Sequence, residues 1–186
     1  MRALLLGLLC LLGLSARADI PGLDGGHIKG RWLTSTYPEE SLFRDVNRAR
    51  GVAFTYEADL PSRDKHVDTD PPGMLTDGAW GTAFTQSVQY NGDVTITADL
   101  GEAKDLEEAR VMFFQSDNNF EVDTVTVSSG DDGATWTERC RASNPQLGKG
   151  NWIESSLTVQ LPLEGRARYL KFRITKGAAA ERMLLG

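Results

Sequence analysis

The sequence predicts an all-β protein, an antiparallel sandwich or barrel of about eight strands. Three observations lead there: period-two runs of apolar and polar residues, turn-forming clusters between them, and few helical stretches. Val94-Thr95-Ile96-Thr97-Ala98-Asp99-Leu100 alternates most cleanly, as a half-buried strand does because successive side chains leave opposite faces. From Glu121 to Ser128, Val122, Thr124 and Thr126 fall on one face and Asp123, Val125 and Val127 on the other. Ser155 to Leu163 sets Leu157, Val159 and Leu161 in register. Arg168 to Thr175 then opposes Tyr169, Lys171 and Arg173 to Leu170, Phe172 and Ile174. Between the runs stand Asn91-Gly92, Gly101-Glu102, Gly130-Asp131-Asp132-Gly133 and Glu164-Gly165. These residue types supply the positive backbone angles of tight turns.

The chain ahead of Phe54 reads differently. Residues 1–18 have the three parts of a secretory signal peptide: Met1-Arg2, an apolar stretch from Ala3 to Leu14, and the small-residue end Ser15-Ala16-Arg17-Ala18. That stretch is too short to span a bilayer. Cleavage after Ala18 leaves 168 of the 186 residues and removes Arg2 and Arg17 with no acid, so the net charge moves from −6 to −8. Cys10 offers a lipid-anchor alternative, but Leu8 and Leu9 stand where small residues are needed. Residues 19–46 read as an N-terminal arm or linker, Gly-rich to Gly30, with Pro38-Glu39-Glu40 ahead of Leu42, Phe43 and Val46 patterned as a short capped helix. Residues 47–186 form the domain, with Lys65 to Gly73 as a loop.

Composition narrows the function. An acidic chain lacks the clustered Lys and Arg that neutralise phosphate, which argues against nucleic acid. No later apolar run is long enough to span a membrane. Cys140 is the one cysteine left after cleavage, so it closes no intramolecular disulfide, and with only His27 and His66 it builds no structural zinc site.

Three segments in order carry a resemblance. They are Leu75-Thr76-Asp77-Gly78 with Ala79-Trp80; Ile96 through Asp99-Leu100-Gly101 to Leu106-Glu107 and Val111; and Val127-Ser128-Ser129-Gly130-Asp131-Asp132-Gly133-Ala134-Thr135-Trp136. Arg168-Tyr169-Leu170-Lys171-Phe172 adds a fourth. From about Asn47 onward the chain resembles the factor V/VIII type C, or discoidin-like, domain, whose bacterial members include family 32 carbohydrate-binding modules. The resemblance implies an eight-stranded jelly-roll sandwich with ligands held by loops at one end. It implies a glycan partner and a structural calcium at Asp77. Family sites often add a carboxylate from the end of the last strand; here Arg182-Met183-Leu184-Leu185-Gly186 looks like that strand cut short, which would leave a bare sheet edge. An attached catalytic domain in a longer secreted protein fits the way such modules are used.

Sugar recognition needs an aromatic face for the ring and planar polar groups for its hydroxyls. Trp80 and Trp152 are each readable as platform or as packing residue, whereas Trp136 packs back from a hairpin turn. Gln115-Ser116-Asp117-Asn118-Asn119-Phe120 is the most ligand-like stretch, with Gln115, Asn118 and Asn119 beside an exposed-looking Phe120. Arg110 resembles a position that often carries a ligand-binding base. Phe113 and Phe114 should face opposite ways, one to the core and one outward, and Phe84 and Tyr90 share that ambiguity.

No nucleophile elbow, zinc-protease helix or phosphate loop is present, and Asp68/Asp70 and Asp131/Asp132 sit in turn-like stretches where Asp serves the backbone. The expectation is a secreted, non-catalytic carbohydrate-binding module. The alternative is a protein-interaction or spacer module with no sugar site.

Overall fold

The computed structural model describes residues 23–24, 27–29, 31–35, 54–69, 73–76, 82–116, 118–144, 147–148 and 155–186. Their strands are β1 (Leu23–Asp24), β2 (His27–Lys29), β3 (Arg31–Ser35), β4 (Thr55–Ala58), β5 (Val88–Tyr90), β6 (Val94–Gln115), β7 (Val122–Gly130), β8 (Thr137–Ser143), β9 (Ser155–Lys176) and β10 (Met183–Leu185). The helix expected at Pro38 to Val46 lies outside the described residues.

β6 and β9, 22 residues each, are the frame. They pair antiparallel over nearly their whole length, from Val94 opposite Ile174 to Gln115 opposite Ser155. The turns expected at Gly101-Glu102 and Glu164-Gly165 are instead corners inside these continuous strands. The ladder shifts register between Asp99 and Lys104 and again between Leu106 and Glu108. Gly101 and Gly165 take φ of 77° and 120° there, angles that only glycine adopts cheaply. Extra residues kink a strand, and kinked strands pass from one layer of a sandwich to the other. Arg168 clasps Asp99 across the corner through Nε–Oδ1 (2.9 Å) and Nη2–Oδ2 (2.8 Å).

One layer therefore holds β4, the first half of β6, the end of β9, then β7, β8, β2 and β1. The other holds β3, the start of β9, the end of β6, then β10 and β5. All pairs are antiparallel except β2 with β8. β1, β2 and β3, within the stretch read as an arm or linker, thus pair into the sheets. Val94, Val125, Val127, Cys140 and Ile174 of the first layer and Tyr90, Phe113, Val159, Leu161 and Met183 of the second form one buried cluster, which makes the fold a β-sandwich. Cys140 is a core residue, its thiol pushed up to about 11 by burial.

Three expectations are corrected by the pairing and the burial. Val122, Val125 and Val127 all reach this core because the pairing of β7 with β9 shifts between Val122 and Thr124, which flips Val122 to the inner face. Phe113 and Phe114 do point apart, but both are buried: Phe113 in the main core, Phe114 in a second cluster with Ala83, Met112, Phe120 and Leu184. β10 is paired on both sides, to β5 and to β6, so no bare edge exists at that position.

The hairpin from Gly130 to Trp136 forms as expected. Asp132 accepts from the backbone amides of Ala134 (2.9 Å) and Thr135 (2.7 Å), and Lys171 Nζ lies 3.8 Å above the Trp136 ring. A Cβ on Gly130 would lie 2.3 Å from the Thr135 carbonyl oxygen. Gly130→Ala is expected to lower stability by about 1–3 kcal/mol in a denaturant melt, since backbone is what must move.

The corner predicts acid sensitivity. The Arg168 guanidinium holds the Asp99 carboxyl down at about 2, against an ordinary 3.8. This contribution is full above the ordinary value and is lost as pH falls through about 2. Asp99→Asn should therefore flatten the melting temperature between pH 4 and 2 relative to wild type, in a range of about two units.

Candidate functional site

The outer face of the β5–β10–β6 layer carries polar atoms that the fold leaves unmatched. β10 opposes Leu184 to Gln89 and Met183 to Tyr90. Side chains alternate, so Met183 and Tyr90 point inward while Gln89 and Leu184 share the outer face. Arg182 precedes β10 and bridges to Phe120, and its amide and that of Glu181 both donate to the Asn119 carbonyl, at 3.2 and 3.0 Å. The loop 116–120 is thereby stitched beside Gln89 and Arg182. Phe120 and Leu184 seal it apolar from below.

Four polar atoms are buried without a hydrogen-bond partner: Gln86 Oε1, Gln89 Oε1, Asn119 Oδ1 and Arg182 Nε. Gln89 itself is 2% exposed. Its Nε2 donates to Asp64 Oδ2 and Asn91 Oδ1, both at 2.7 Å. A carboxylate only accepts, so the amide orientation is fixed and Oε1 is the orphan. Leaving a buried acceptor unmade costs about 1–3 kcal/mol. Natural folds keep few such atoms, and a partner outside the fold is a physical account of the four found among the described residues.

His66 stands at the same face. Gln89 N donates to the His66 carbonyl and Arg63 N to the Gln89 carbonyl, so the 63–66 loop runs along β5 like an added strand. Ser87 spends its one hydroxyl proton on the Ala83 carbonyl (2.5 Å). It must then accept at Oγ from His66 Nδ1, 2.9 Å away. That leaves Nε2 as an acceptor in the neutral ring. Burial, followed by the Arg182 and Lys65 charges, lowers the His66 pKa. Asp64 and Asn118 adopt left-handed φ of 60° and 58°, one in each flanking loop, a conformation Asp and Asn tolerate best.

An aromatic completes the arrangement. The amides of Thr85 and Gln86 fold back on the Thr82 carbonyl, and the buried Ala83 anchors this turn in the second cluster. Phe84, between them, is 77% exposed. A large apolar ring held out on an anchored turn, next to Gln86, is the geometry of a stacking surface.

The F5/8 type C domain profile matches residues 60–185. The chain belongs to the F5/8 type C domain family. Among solved structures, the two-module CBM32-1 and CBM32-2 fragment of ZmpB from Clostridium perfringens superposes with a TM-score of 0.51 at 10% identity, over 84% of this chain and 42% of that one. Two others are similar. The CBM32 of AlyQ in complex with 4,5-unsaturated mannuronic acid has 21% identity and a TM-score of 0.46, over 70% and 88% of the two chains. A CBM32 from Clostridium perfringens in complex with GalNAc-β-1,3-galactose has 12% identity and a TM-score of 0.47, over 71% and 94%. No curated protein matches the chain.

Within this F5/8 type C domain the expected site residues scatter. Asp77, Trp80 and Trp152 lie outside the described residues. Asn119 is on the orphan-bearing face, and Asn118 forms the turn that delivers it. Phe120, expected to be exposed, is 7% exposed and packed in the second cluster, because two layers of side chains cover that sheet. Gln115 is also buried, its Oε1 accepting from Asn144 Nδ2 at 2.7 Å, and so ties the end of β6 to the 144–148 loop. Arg110 is spent on Glu108 in its own strand, Nε to Oε1 at 2.6 Å. Gln86, Gln89, His66 and Arg182 were not singled out by sequence. The available signal was an arginine directly before an apolar strand, and two glutamines flanking Ser87-Val88 at strand spacing.

A shallow hollow also opens at the corner end, between Leu106, Leu163, Leu170 and Arg139. Arg139 there already donates to Ser129 at 2.6 Å, and none of the orphaned atoms is in it.

The burial contrast is testable. Phe120→Ala should cost about 3–5 kcal/mol by chemical denaturation, as a buried aromatic truncation does. Phe84→Ala should stay within about 0.5 kcal/mol of wild type.

Proposed function

We propose that this chain is a non-catalytic carbohydrate-binding module that takes its sugar on the outer face of the β5–β10–β6 layer. The carrying observation is a set of four buried polar atoms with no partner in the fold, three of them amide oxygens, on β5 and the segments next to β5 and β10, with an exposed aromatic two residues from Gln86. Amide oxygens are acceptors, and a sugar presents hydroxyl donors at the spacing of a ring. Phe84 stacks on the apolar face of that ring, and Gln86, Asn119 and neutral His66 Nε2 accept from its hydroxyls. Gln86, Asn119 and Arg182 are only half-buried residues, so a change of rotamer brings their polar ends to a ligand. Gln89 forms the floor. The bound sugars named for the two CBM32 structures point to the same class of ligand.

The proposal includes secretion, with the signal peptide removed after Ala18, and attachment to a catalytic domain in a longer protein. Trp80, directly ahead of the Phe84 turn in sequence, and Trp152 remain proposed as further aromatic contacts. Asp77 is proposed as a calcium ligand with backbone carbonyls of its turn. Asp68, on the described loop ahead of it in sequence, already accepts from Tyr56 Oη (2.7 Å) and the Met74 amide (2.8 Å). Among the described residues no group of three or more His, Cys, Asp or Glu is placed to hold a metal ion. One carboxylate implies a weak site, with a Kd on the order of 10⁻⁴–10⁻³ M.

A glycan array of residues 19–186, run with and without millimolar calcium, tests the reading. Selective binding is expected, with Phe84→Ala weakening it at least about tenfold at unchanged melting temperature. A cooperatively melting domain that binds no glycan would instead establish the interaction or spacer reading.

A further inference from the structure

We infer that the sugar taken by this face is acidic, its carboxylate seated on the Arg182 guanidinium. The inference rests on the carbohydrate reading above and adds the class of sugar to it.

The orphaned atoms differ in kind. Three are acceptors that any neutral sugar satisfies through its hydroxyls, but the fourth is a cationic donor. Half-buried strand arginines elsewhere have a partner: Arg139 donates to the Ser129 hydroxyl. Arg168 is clasped by Asp99 and Arg110 by Glu108. Arg182 has no such carboxylate among the described residues. Asp64, the acid beside it on the 63–66 loop, is already held by Gln89. A guanidinium removed from much of its water and given no anion is unfavourable in the free fold. Its planar fork of donors matches a planar carboxylate in two parallel hydrogen bonds, which a single hydroxyl does not provide.

The surrounding charge agrees. The chain as a whole carries −6, so an anion is repelled by most of its surface. At His66 the local balance differs: Arg182 and Lys65 act against its protonation more strongly than Asp64 favours it, while Glu121 and Glu181 lie next to Arg182 along the backbone. Arg63 and Lys65 enter no ion pair among the described residues. A carboxylate arriving at Arg182 also cancels the charge that disfavours protonation of His66. The neutral ring accepts from a sugar hydroxyl, and the protonated ring donates to the carboxylate. Both states of His66 are therefore compatible with a uronate, whose carboxyl and hydroxyl groups lie on one ring.

The experiment compares three probes by calorimetry on the domain of residues 19–186: oligogalacturonate, its fully methyl-esterified form, and neutral galacto-oligosaccharide of the same length. Wild type is expected to prefer the free acid. Arg182→Gln should weaken that binding about 10- to 100-fold and weaken the ester and the neutral probe at least about tenfold less than that. Arg182→Lys should restore part of it, since charge returns without the fork. In NMR titrations the His66 pKa should rise on addition of the acid and not of the ester. Equal affinity for acid, ester and neutral probe, indifferent to Arg182→Gln, overturns the acidic-sugar inference and leaves the carbohydrate reading standing. Failure of a broad glycan array as well as all three probes overturns both. Loss of affinity for every probe alike in a melting-competent Arg182→Gln variant would make Arg182 a general sugar contact and also overturns the acidic preference.

Discussion

The antiparallel ladder between β6 and β9 is the constraint on which the rest of the molecule depends. Each strand serves both layers, so the sandwich is closed by backbone hydrogen bonds and not by side-chain packing alone. That arrangement needs both strands to bend at one place. The positive φ of Gly101 and Gly165, the two register shifts and the Asp99–Arg168 clasp all meet there. Once the corner is set, the inner faces of both layers meet as one core, and every loop at the far end starts from a fixed position.

The far end is where this rigidity has a use. Backbone bonds join Glu181 and Arg182 to Asn119 and Gly177 to Glu121, and separately hold the 63–66 loop against Gln89 of β5. Asn119, Arg182, Gln89 and His66 are therefore held by main-chain ladders, not by each other. Their polar ends are left over when the ladders are complete. A site whose backbone is positioned by the scaffold needs only side-chain rotation to meet its ligand, which limits the ordering cost of binding. The second apolar cluster, with Phe120 and Leu184, packs beneath the same layer.

Much of the fold was legible in the alternation and the turn chemistry. Val94 to Leu100 and Arg168 to Thr175 lie within strands at the expected positions, and the 130–136 hairpin forms with Gly133 at a positive φ. The corners were misread because Gly-Glu and Glu-Gly look alike whether a chain reverses or merely kinks; only the partner strand, equally long, distinguishes them. Phe113-Phe114 shows a second limit. Alternation tells which faces differ, but a face counted as outer becomes a core when a loop folds over it. The site was less legible for the same reason. Phe120 and Gln115 carry the residue types of a ligand loop, yet both are buried, and whether an amide is satisfied depends on partners as distant in sequence as Asp64 is from Gln89. Nothing local in the sequence marks Arg182 as lacking an acid.

The central claim is that the orphan-bearing face of the β5–β10–β6 layer receives a carbohydrate. Mapping amide shifts of the isotope-labelled domain as a binding oligosaccharide is added tests it most directly, because side-chain amides of Gln86, Gln89 and Asn119 are read individually. The account predicts shifts concentrated on those amides, Arg182 Nε–H and the Phe84 turn, with the corner around Gly101 and Gly165 unmoved. Shifts centred on the corner hollow or on the 130–136 hairpin, with these groups silent, would contradict it.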